Sequence, residues 1–543
     1  MSTFHEIVWT LPFFLYAETH YRFKYFLSFL RKAEPELIAD APHRIDPGST
    51  IPLLVIAKDA DKFPVSLSNV KVVMRQSGET IRETHLIVEA IPLHEHFWWK
   101  VFELPRDGIS GWIELDVFLT LKTLGSERTY QADNHRTSSH APLKLFLSDE
   151  PLPRLPGLYF GDAHTHSDRT EDQVEFGSPI NPSAILAKAM GLSFFCVADH
   201  SYDLDDAVGD YSKNDPELPK WKSLLAEIRK HNFEKSNFVV IQGEEISCRN
   251  IHDENVHFLL LGDEHFFHGS GDGAERWFQT RCENSITDVL DQKHQSALGF
   301  AAHPMEAVSV LQRWLLGRGS WTIKDLTDKR LTGIQFANGT KTKGFILGYN
   351  AWIRSLLAGS HLYCLAGNDA HGNFNRFRQI GVPFLTIREA DTQLFGKMRT
   401  GVYLDGFPDY SPILQTLALG RFIITDGPVV NLKVSSDQNP TTSIGKRIVA
   451  AEIEFTLDAS STSEFGELSE IKILLGVIGE RSERVFFFEQ ATGIFTFRRS
   501  FAVRMEEPFY LRAEAYSSNQ NMSDKCQHFC FTNPIWCSPE PRP

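Results

Sequence analysis

Histidines and carboxylates in this chain gather in a few short phrases: His164-Thr165-His166, Asp199-His200, Gly243-Glu244-Glu245, His257, His303-Pro304 and Asp369-Ala370-His371. Imidazole and carboxylate without thiolate is a donor set for zinc, manganese or iron. His164 and His166 are two residues apart, and positions i and i+2 of a strand share a face, so both rings can reach one ion. The same alternation turns Glu244 and Glu245 to opposite faces, so one of the two is placed to join them. Asp199 can orient His200 or accept a proton, because ligating histidines need a carboxylate or carbonyl partner; it can equally cap the loop that follows.

These phrases must be held by regular elements, and the local patterns supply them. An apolar run ends at Phe160 just before the histidine pair, and a second, Phe194 to Ala198, ends just before Asp199. Between them Pro182 to Met190 has Ile185, Leu186 and Ala189 at helical spacing after an Asn-Pro start, which predicts strand, helix, strand. Further β-type runs follow at Phe238 to Gln242, Val256 to Leu261, Leu298 to Ala302, Gly333 to Ala337, Leu362 to Ala366 and Val382 to Ile387. Helical patterns at Trp221 to Lys230, Ile286 to Lys293 and Trp352 to Ala358 lie between them. Such alternation predicts a parallel α/β barrel or barrel-like sheet with the donors at one mouth, at strand C-termini.

Either side of this region the texture is β. Short alternating runs from Thr50 to Leu121, separated by Asp46-Pro47-Gly48 and Arg106-Asp107-Gly108, predict a small sandwich, and runs from Ile453 to Tyr516 predict a second. Tyr21 to Lys32 reads as an amphipathic helix, and 149–156 (DEPLPRLP) as a proline-rich linker. A second histidine pair, His94 and His96, reads as a solvated or packed pair on a strand.

Composition narrows the function classes. The 543 residues predict several domains, and 42% hydrophobic with 23% charged residues is the balance of a globular protein. A net charge of −14 argues against a nucleic-acid polymer as partner. No apolar run approaches the roughly 20 residues of a membrane span. Seven dispersed cysteines without a CxxC pair favour a reducing, cytoplasmic setting. Cys526, Cys530 and Cys537 match no zinc spacing and read as packed thiols. Arg169, Lys341, Lys343, Arg376 and Arg378 follow strand ends, where they could meet a substrate anion; Arg376, five residues after His371, is the favoured one.

Taken together, residues 157 to 372 resemble the PHP (polymerase and histidinol phosphatase) superfamily of metal-dependent hydrolases. The resemblance rests on HTH at 164–166, ADH at 198–200, GEE at 243–245, VHFLLLG at 256–262, AHP at 302–304 and NDAH at 368–371, in the family's order. QFANG at 335–339, TLALGRFIITDGP at 416–428 and the Thr-Asn-Pro-Ile phrase at 532–535 are similar to the branch containing carbaryl hydrolase. The resemblance implies a distorted (β/α)7 barrel flanked by N- and C-terminal β-sandwich domains. The chain then divides into a helical segment at 1–44, a sandwich at 45–148, a linker at 149–156, the metallohydrolase barrel at 157–408, and a helix plus sandwich at 409–543.

The resemblance also implies two or three divalent ions. His164, His166, Glu245 and Asp369 would hold the first, with Glu245 selected over Glu244 by the family's Gly-x-Glu pattern and bridging to a second ion on His257 and His303. A third would take His200, His371 and a residue soon after the histidine pair, Glu171 by spacing or else Asp172. Metal-bound water of lowered pKa would supply hydroxide. The expected function is a metal-dependent hydrolase, a phosphoesterase for a small anionic substrate. The alternatives are hydrolysis of an amide, carbamate or ester, and a non-catalytic metal-stabilised scaffold carrying two sandwich modules.

Overall fold

The computed structural model describes residues 34–123, 125–134, 140–171, 177–234, 237–271, 280–375, 392–436, 442–450, 452–504, 507–518 and 527–539. The helix expected at Tyr21 to Lys32, the strand at Val382 to Ile387, and Asp172, Arg376, Arg378 and Cys526 lie outside these residues.

The β-texture near the start forms two facing sheets. Glu36–Asp40, Ile51–Lys58 and Phe97–Leu104 make one, and Val65–Gln76, Gly111–Lys122 and Leu143–Leu147 lead the other. Alternating residues such as Leu53 and Val55 on one sheet, and Leu67, Val72 and Leu115 on the other, fill one shared core. The strand Glu36–Asp40 pairs with Ile51–Lys58, so this unit begins before the boundary expected at residue 45.

The central region does not form the expected (β/α)7 barrel. Its strands run in the order Tyr363–Gly367, Gly333–Asn338, Leu298–Ala302, Asn255–Leu261, Val239–Arg249, Phe194–Val197, Leu158–Thr165 and Arg399–Tyr403. The sheet then continues through Phe422–Thr425 into the C-terminal strands. Described strand outweighs helix, 45% against 15%, and among the described residues no ladder closes the sheet. Past its first edge the chain meets Leu158–Thr165 through an isolated bridge from Thr165 to Ala370, bonds from the Asn368 and Asp369 amides to the His164 carbonyl, and bonds from Asn368 to the Asp162 carboxylate.

The ladder is also mixed rather than parallel. Leu158–Thr165, Phe194–Val197 and Val239–Arg249 are parallel, as are Leu298–Ala302, Gly333–Asn338 and Tyr363–Gly367, but Asn255–Leu261 runs antiparallel to both its neighbours. The cause is connection length. Val239–Arg249 is longer than its apolar core and is followed by only five residues before the next strand, whereas a parallel return needs a crossover of a dozen or more. Asn250 closes that turn: its Oδ1 accepts from the His252 and Glu254 amides at 2.8 and 3.0 Å.

Helices Ile180–Ala189, Pro219–Phe233, Ile286–Gln292 and Lys343–Leu357 connect the other strands; the first three lie where helical spacing predicts them, and the last begins well before the expected start at Trp352. Beyond Tyr410–Ala418, the sheet Val429–Ser435, Glu452–Ser460 and Thr496–Arg504 packs on Glu467–Val477, Phe509–Ser518 and Gln527–Thr532. Leu432, Phe455, Ile471 and Leu511 share that core. Because Phe422–Thr425 pairs with both Arg399–Tyr403 and Gln527–Thr532, no sheet break falls at the boundary expected near 408. Among the described residues no helix is long and apolar enough to cross a membrane.

Candidate metal centre

Eight of the nine residues expected as ligands meet at one place. Their donor atoms fall into three overlapping groups, each within 4.8 Å: His164, Glu245, His303 and Asp369; His200, Glu245 and His257; and His166, His200 and His371. The grouping differs from the expected division in that His166 gathers with His200 and His371, and His303 with His164 and Asp369. Asn255–Leu261 runs backwards through the sheet, so its start, with His257, lies at the mouth where the parallel strands end.

Glu245 is the hub. Ser247 faces His257 and Glu245 faces Leu259 across the hairpin ladder, which puts Glu245 and His257 diagonally on one face. Glu245 Oε1 lies 2.6 Å from His257 Nδ1 and 2.9 Å from His303 Nε2, and its Oε2 lies 3.0 Å from His200 Nδ1 and 3.3 Å from His164 Nε2. Glu244 points the other way, accepting from Ser201 Oγ at 2.8 Å and from the Phe267 amide. His166 Nε2 is 3.0 Å from Asp369 Oδ1, and its ring stacks on that of His371 at 4.0 Å.

The backbone is strained where it presents two of these donors. His303 has φ 26° and Asp369 φ 53°, left-handed values that cost a non-glycine residue of order 1–3 kcal/mol. Such strain persists where the surroundings over-determine it. Here the Asp369 amide donates to the His164 carbonyl, tying both donors into one assembly.

Charge is arranged for ligation. Burial raises the Glu245 carboxyl, but His257 and His164 overcome it and hold the group well below its ordinary value. Asp369 is likewise held low by imidazoles against burial and the charge of Glu245. His166 is pushed well below its ordinary value by burial and by His371 and His200. Burial would lower His164 too, but Glu245 and Asp369 raise it to about 10. Anionic carboxylates with a neutral His166 are ligand-ready forms, whereas His164 would have to give up a proton to bind an ion.

The donor set fits divalent ions on an independent observation. His164 Nε2, His200 Nδ1 and Glu245 Oε2 are fully buried yet make no hydrogen bond of acceptable geometry, and they point at one another. Buried polar atoms left so are expensive unless something else binds them. The outer contacts orient the rings as metal ligands require. His164 Nδ1 donates to Gln335 Oε1 at 2.9 Å, His371 Nδ1 to the Asp369 carbonyl at 3.1 Å, and Gln393 Nε2 donates to Asp369 Oδ2 at 2.9 Å.

The remaining expected residues go elsewhere. Glu171 joins none of the three groups; its Oε1 is 2.6 Å from His96 Nε2 and 3.8 Å from Lys58 Nζ of the N-terminal sandwich. His94 and His96 lie in the turn before Phe97, not on a strand, and His96 also meets Asp61 at 3.0 Å. Asp199 accepts from the Ser167 amide and hydroxyl, both at 2.6 Å, and from Thr170 Oγ1 at 3.1 Å. It is therefore a clamp on the loop after the histidine pair, and Thr170 Oγ1 in turn sits 3.5 Å from His166 Nδ1. Arg169 pairs with Asp168 and Glu227, and Lys341 with Asp426.

A cavity of about 290 Å³ opens over the cluster, walled by His200, His257, His303, Asp369 and His371. Sequence reasoning assigned no role to four neighbours. Gln335 fixes His164, Tyr202 stacks on His200 at 4.6 Å, Trp321 Nε1 donates to the His257 carbonyl at 3.0 Å, and Arg318 Nη2 lies 2.9 Å from His257 Nε2. Gln335 carried a signal, since its strand ends beside the others; the 304–321 segment carried none.

No family model and no curated protein matches this chain. Among solved structures, it is similar over 93% of its length to a β-glucuronidase of Bacteroides uniformis, of which it spans 61%, at 9% identity and TM-score 0.18. A putative β-galactosidase of Bacteroides fragilis is matched over 93% of this chain and 74% of that one, at 9% identity and TM-score 0.19. Trypsin-activated α-2-macroglobulin of Escherichia coli is matched over 93% and 23%, at 9% identity and TM-score 0.16. At such scores none of these likenesses bears on fold or function.

Proposed function

We propose that this protein is a metal-dependent hydrolase of small phosphoesters, related to the PHP superfamily through the motifs that converge on Glu245. The observation that carries the reading is the set of buried donors of His164, His200 and Glu245, aimed at one another without hydrogen bonds beneath an open cavity. His164, Glu245, His303 and Asp369 would hold one ion, Glu245 with His200 and His257 a second, and His166, His200 and His371 a third. Zinc, manganese or iron in such a site supplies Lewis acidity, polarising a phosphoryl oxygen and acidifying water. Glu245 keeps four imidazoles at fixed distances, and Gln335 and the Asp369 carbonyl fix the tautomers of His164 and His371. Glu306 stands on the cavity wall with Oε2 3.5 Å from His303 Nδ1, where a proton can be passed to water. A cytoplasmic setting is part of the proposal, supported by the buried thiols of Cys196, Cys364, Cys530 and Cys537.

The test is to purify the protein without chelator, measure metal equivalents, and assay phosphomonoesters, phosphodiesters, carboxyl esters and carbamates together. Metal-dependent turnover of a phosphoester, abolished in folded His257→Ala and Asp369→Ala variants, is expected. Unchanged turnover in either variant refutes the assignment, and activity confined to carbamates replaces the substrate class.

A further inference from the structure

We propose that Arg318 is the substrate-binding residue that makes this cavity select an anionic, phosphoryl-bearing substrate; the inference rests on the hydrolase reading above. Among the described residues that wall the cavity, Arg318 is the one lysine or arginine. Of the cations expected from sequence to meet a substrate anion, Arg169 pairs with Asp168 and Glu227, Lys341 pairs with Asp426, and Lys343 is exposed at the start of helix Lys343–Leu357, off the cavity wall.

The position of Arg318 is built rather than incidental. Helix Val310–Leu316 ends at Gly317 in a left-handed conformation, φ 63°, which turns the chain back to the strand that carries His257. The Asn255 amide donates to the Gly317 carbonyl and the Gly319 amide to the Asn255 carbonyl, both at 2.8 Å, so Arg318 is strapped at its two neighbours. Asn255, itself buried, also donates through Nδ2 to the Leu316 carbonyl at 2.7 Å. Two residues along the strand from Asn255 is His257, so the guanidinium and the imidazole are held on one frame.

The approach of the guanidinium leaves that imidazole able to ligate. Arg318 Nη2 lies 2.9 Å from His257 Nε2 and 3.1 Å from Nδ1. The in-plane directions of the two ring nitrogens, one bearing the proton and the other the lone pair, diverge, so an atom nearly equidistant from both lies along neither. Nη2 sits over the ring, in the manner of a cation on an aromatic face. Arg318 thus brings a charge that does not titrate to the cavity wall beside a proposed metal ligand. Its planar fork matches the oxygens of a phosphoryl group, whereas a neutral ester or carbamate offers no charge for it to neutralise.

The experiment uses the metal-loaded full-length chain, with inorganic phosphate as the binding probe and aryl phosphate and aryl acetate as substrates. Arg318→Gln is expected to weaken phosphate binding, measured by calorimetry, about 10- to 100-fold, the range for losing a hydrogen bond to a charged group. KM for the aryl phosphate should rise in parallel, while metal equivalents and KM for the aryl acetate stay at wild-type values. Arg318→Lys should recover only part of the loss, because a point charge lacks the fork. Unaltered phosphate affinity in folded Arg318→Gln overturns the inference. So does loss of metal with the substitution, which would make Arg318 a support of His257, or failure of phosphate to bind the metal-loaded wild type. If the wild type binds phosphate through Arg318 but hydrolyses neither ester, the hydrolase reading fails and the anion site stands.

Discussion

The sharpest test of the site is Gln335, a residue that touches no expected ion. Gln335 and His164 are both wholly buried, and His164 Nδ1 lies 2.9 Å from Gln335 Oε1. The amide is oriented by its other end, since Nε2 donates to Asn338 Oδ1 at 3.3 Å, which leaves Oε1 as the acceptor for the ring. That single bond puts the His164 proton on Nδ1 and turns Nε2 towards Glu245 and Asp369, 3.3 and 3.7 Å away. Gln335→Leu keeps roughly the volume, removes the acceptor and strands a buried N–H, which costs about 1–3 kcal/mol. Outer partners of ligating histidines are worth about 10- to 100-fold in metal affinity, so the same loss is expected in metal retention. Gln335→Glu restores an acceptor and strengthens it, so its affinity should equal or exceed the wild type's. The assay is residual metal after equilibration with graded chelator, alongside urea unfolding of each variant. If Gln335→Leu gives metal up at the same chelator concentration as the wild type, or Gln335→Glu falls with it, Gln335 does not set the His164 tautomer and the argument is wrong.

Two further outcomes follow from the same geometry. Asp199→Asn keeps shape but weakens the acceptor of three bonds from Ser167 and Thr170, so unfolding free energy should fall by about 1–3 kcal/mol while metal-loaded kcat stays within severalfold; a hundredfold fall at full metal content would restore Asp199 to the chemistry. His43, whose Nδ1 donates to the Phe374 carbonyl at 3.1 Å, has its pKa lowered to about 3 by burial and by Lys397, against the raising effect of that bond. Between that value and the ordinary one of about 6.5 the unfolded chain takes up a proton that the folded chain refuses, so stability falls as pH drops below about 6.5. The loss reaches at most about 2 kcal/mol by about pH 5. Urea midpoints for wild type and His43→Asn should converge in this limb, and parallel curves would show that another group governs it.

The donors were legible because alternation is a local rule. The pleat puts His164 and His166 on one face and Glu244 and Glu245 on opposite faces, the Gly-x-Glu pattern picks Glu245, and the structure turns Glu244 to Ser201 and Phe267 while Glu245 meets the histidines. Glu171 was not legible in this way. Its nearness in sequence to the histidine pair suggested a ligand, but its partners are His96 and Lys58, 75 and 113 positions earlier, and no local pattern encodes so distant a contact. The barrel failed for a related reason, since apolar runs report strands without reporting direction. Phe238 to Gln242 reads as a short strand, whereas the hydrogen-bonded strand continues to Arg249 and leaves only five residues for the return.

That reversal is what makes the donor cluster compact. A parallel strand in the place of Asn255–Leu261 would carry its first residues to the opposite rim, away from the ends of Leu158–Thr165 and Leu298–Ala302. Running backwards, it enters at the shared mouth, so His257 lies diagonally from Glu245 instead of a strand length away. The same start receives the Gly317 and Gly319 backbone, and with it Arg318. The turn at Asn250–Glu254 therefore fixes two features of the cavity at once, an imidazole on Glu245 and a guanidinium over that imidazole. A chain with the same apolar runs and a helical crossover in that position would keep its strands but lose both contacts.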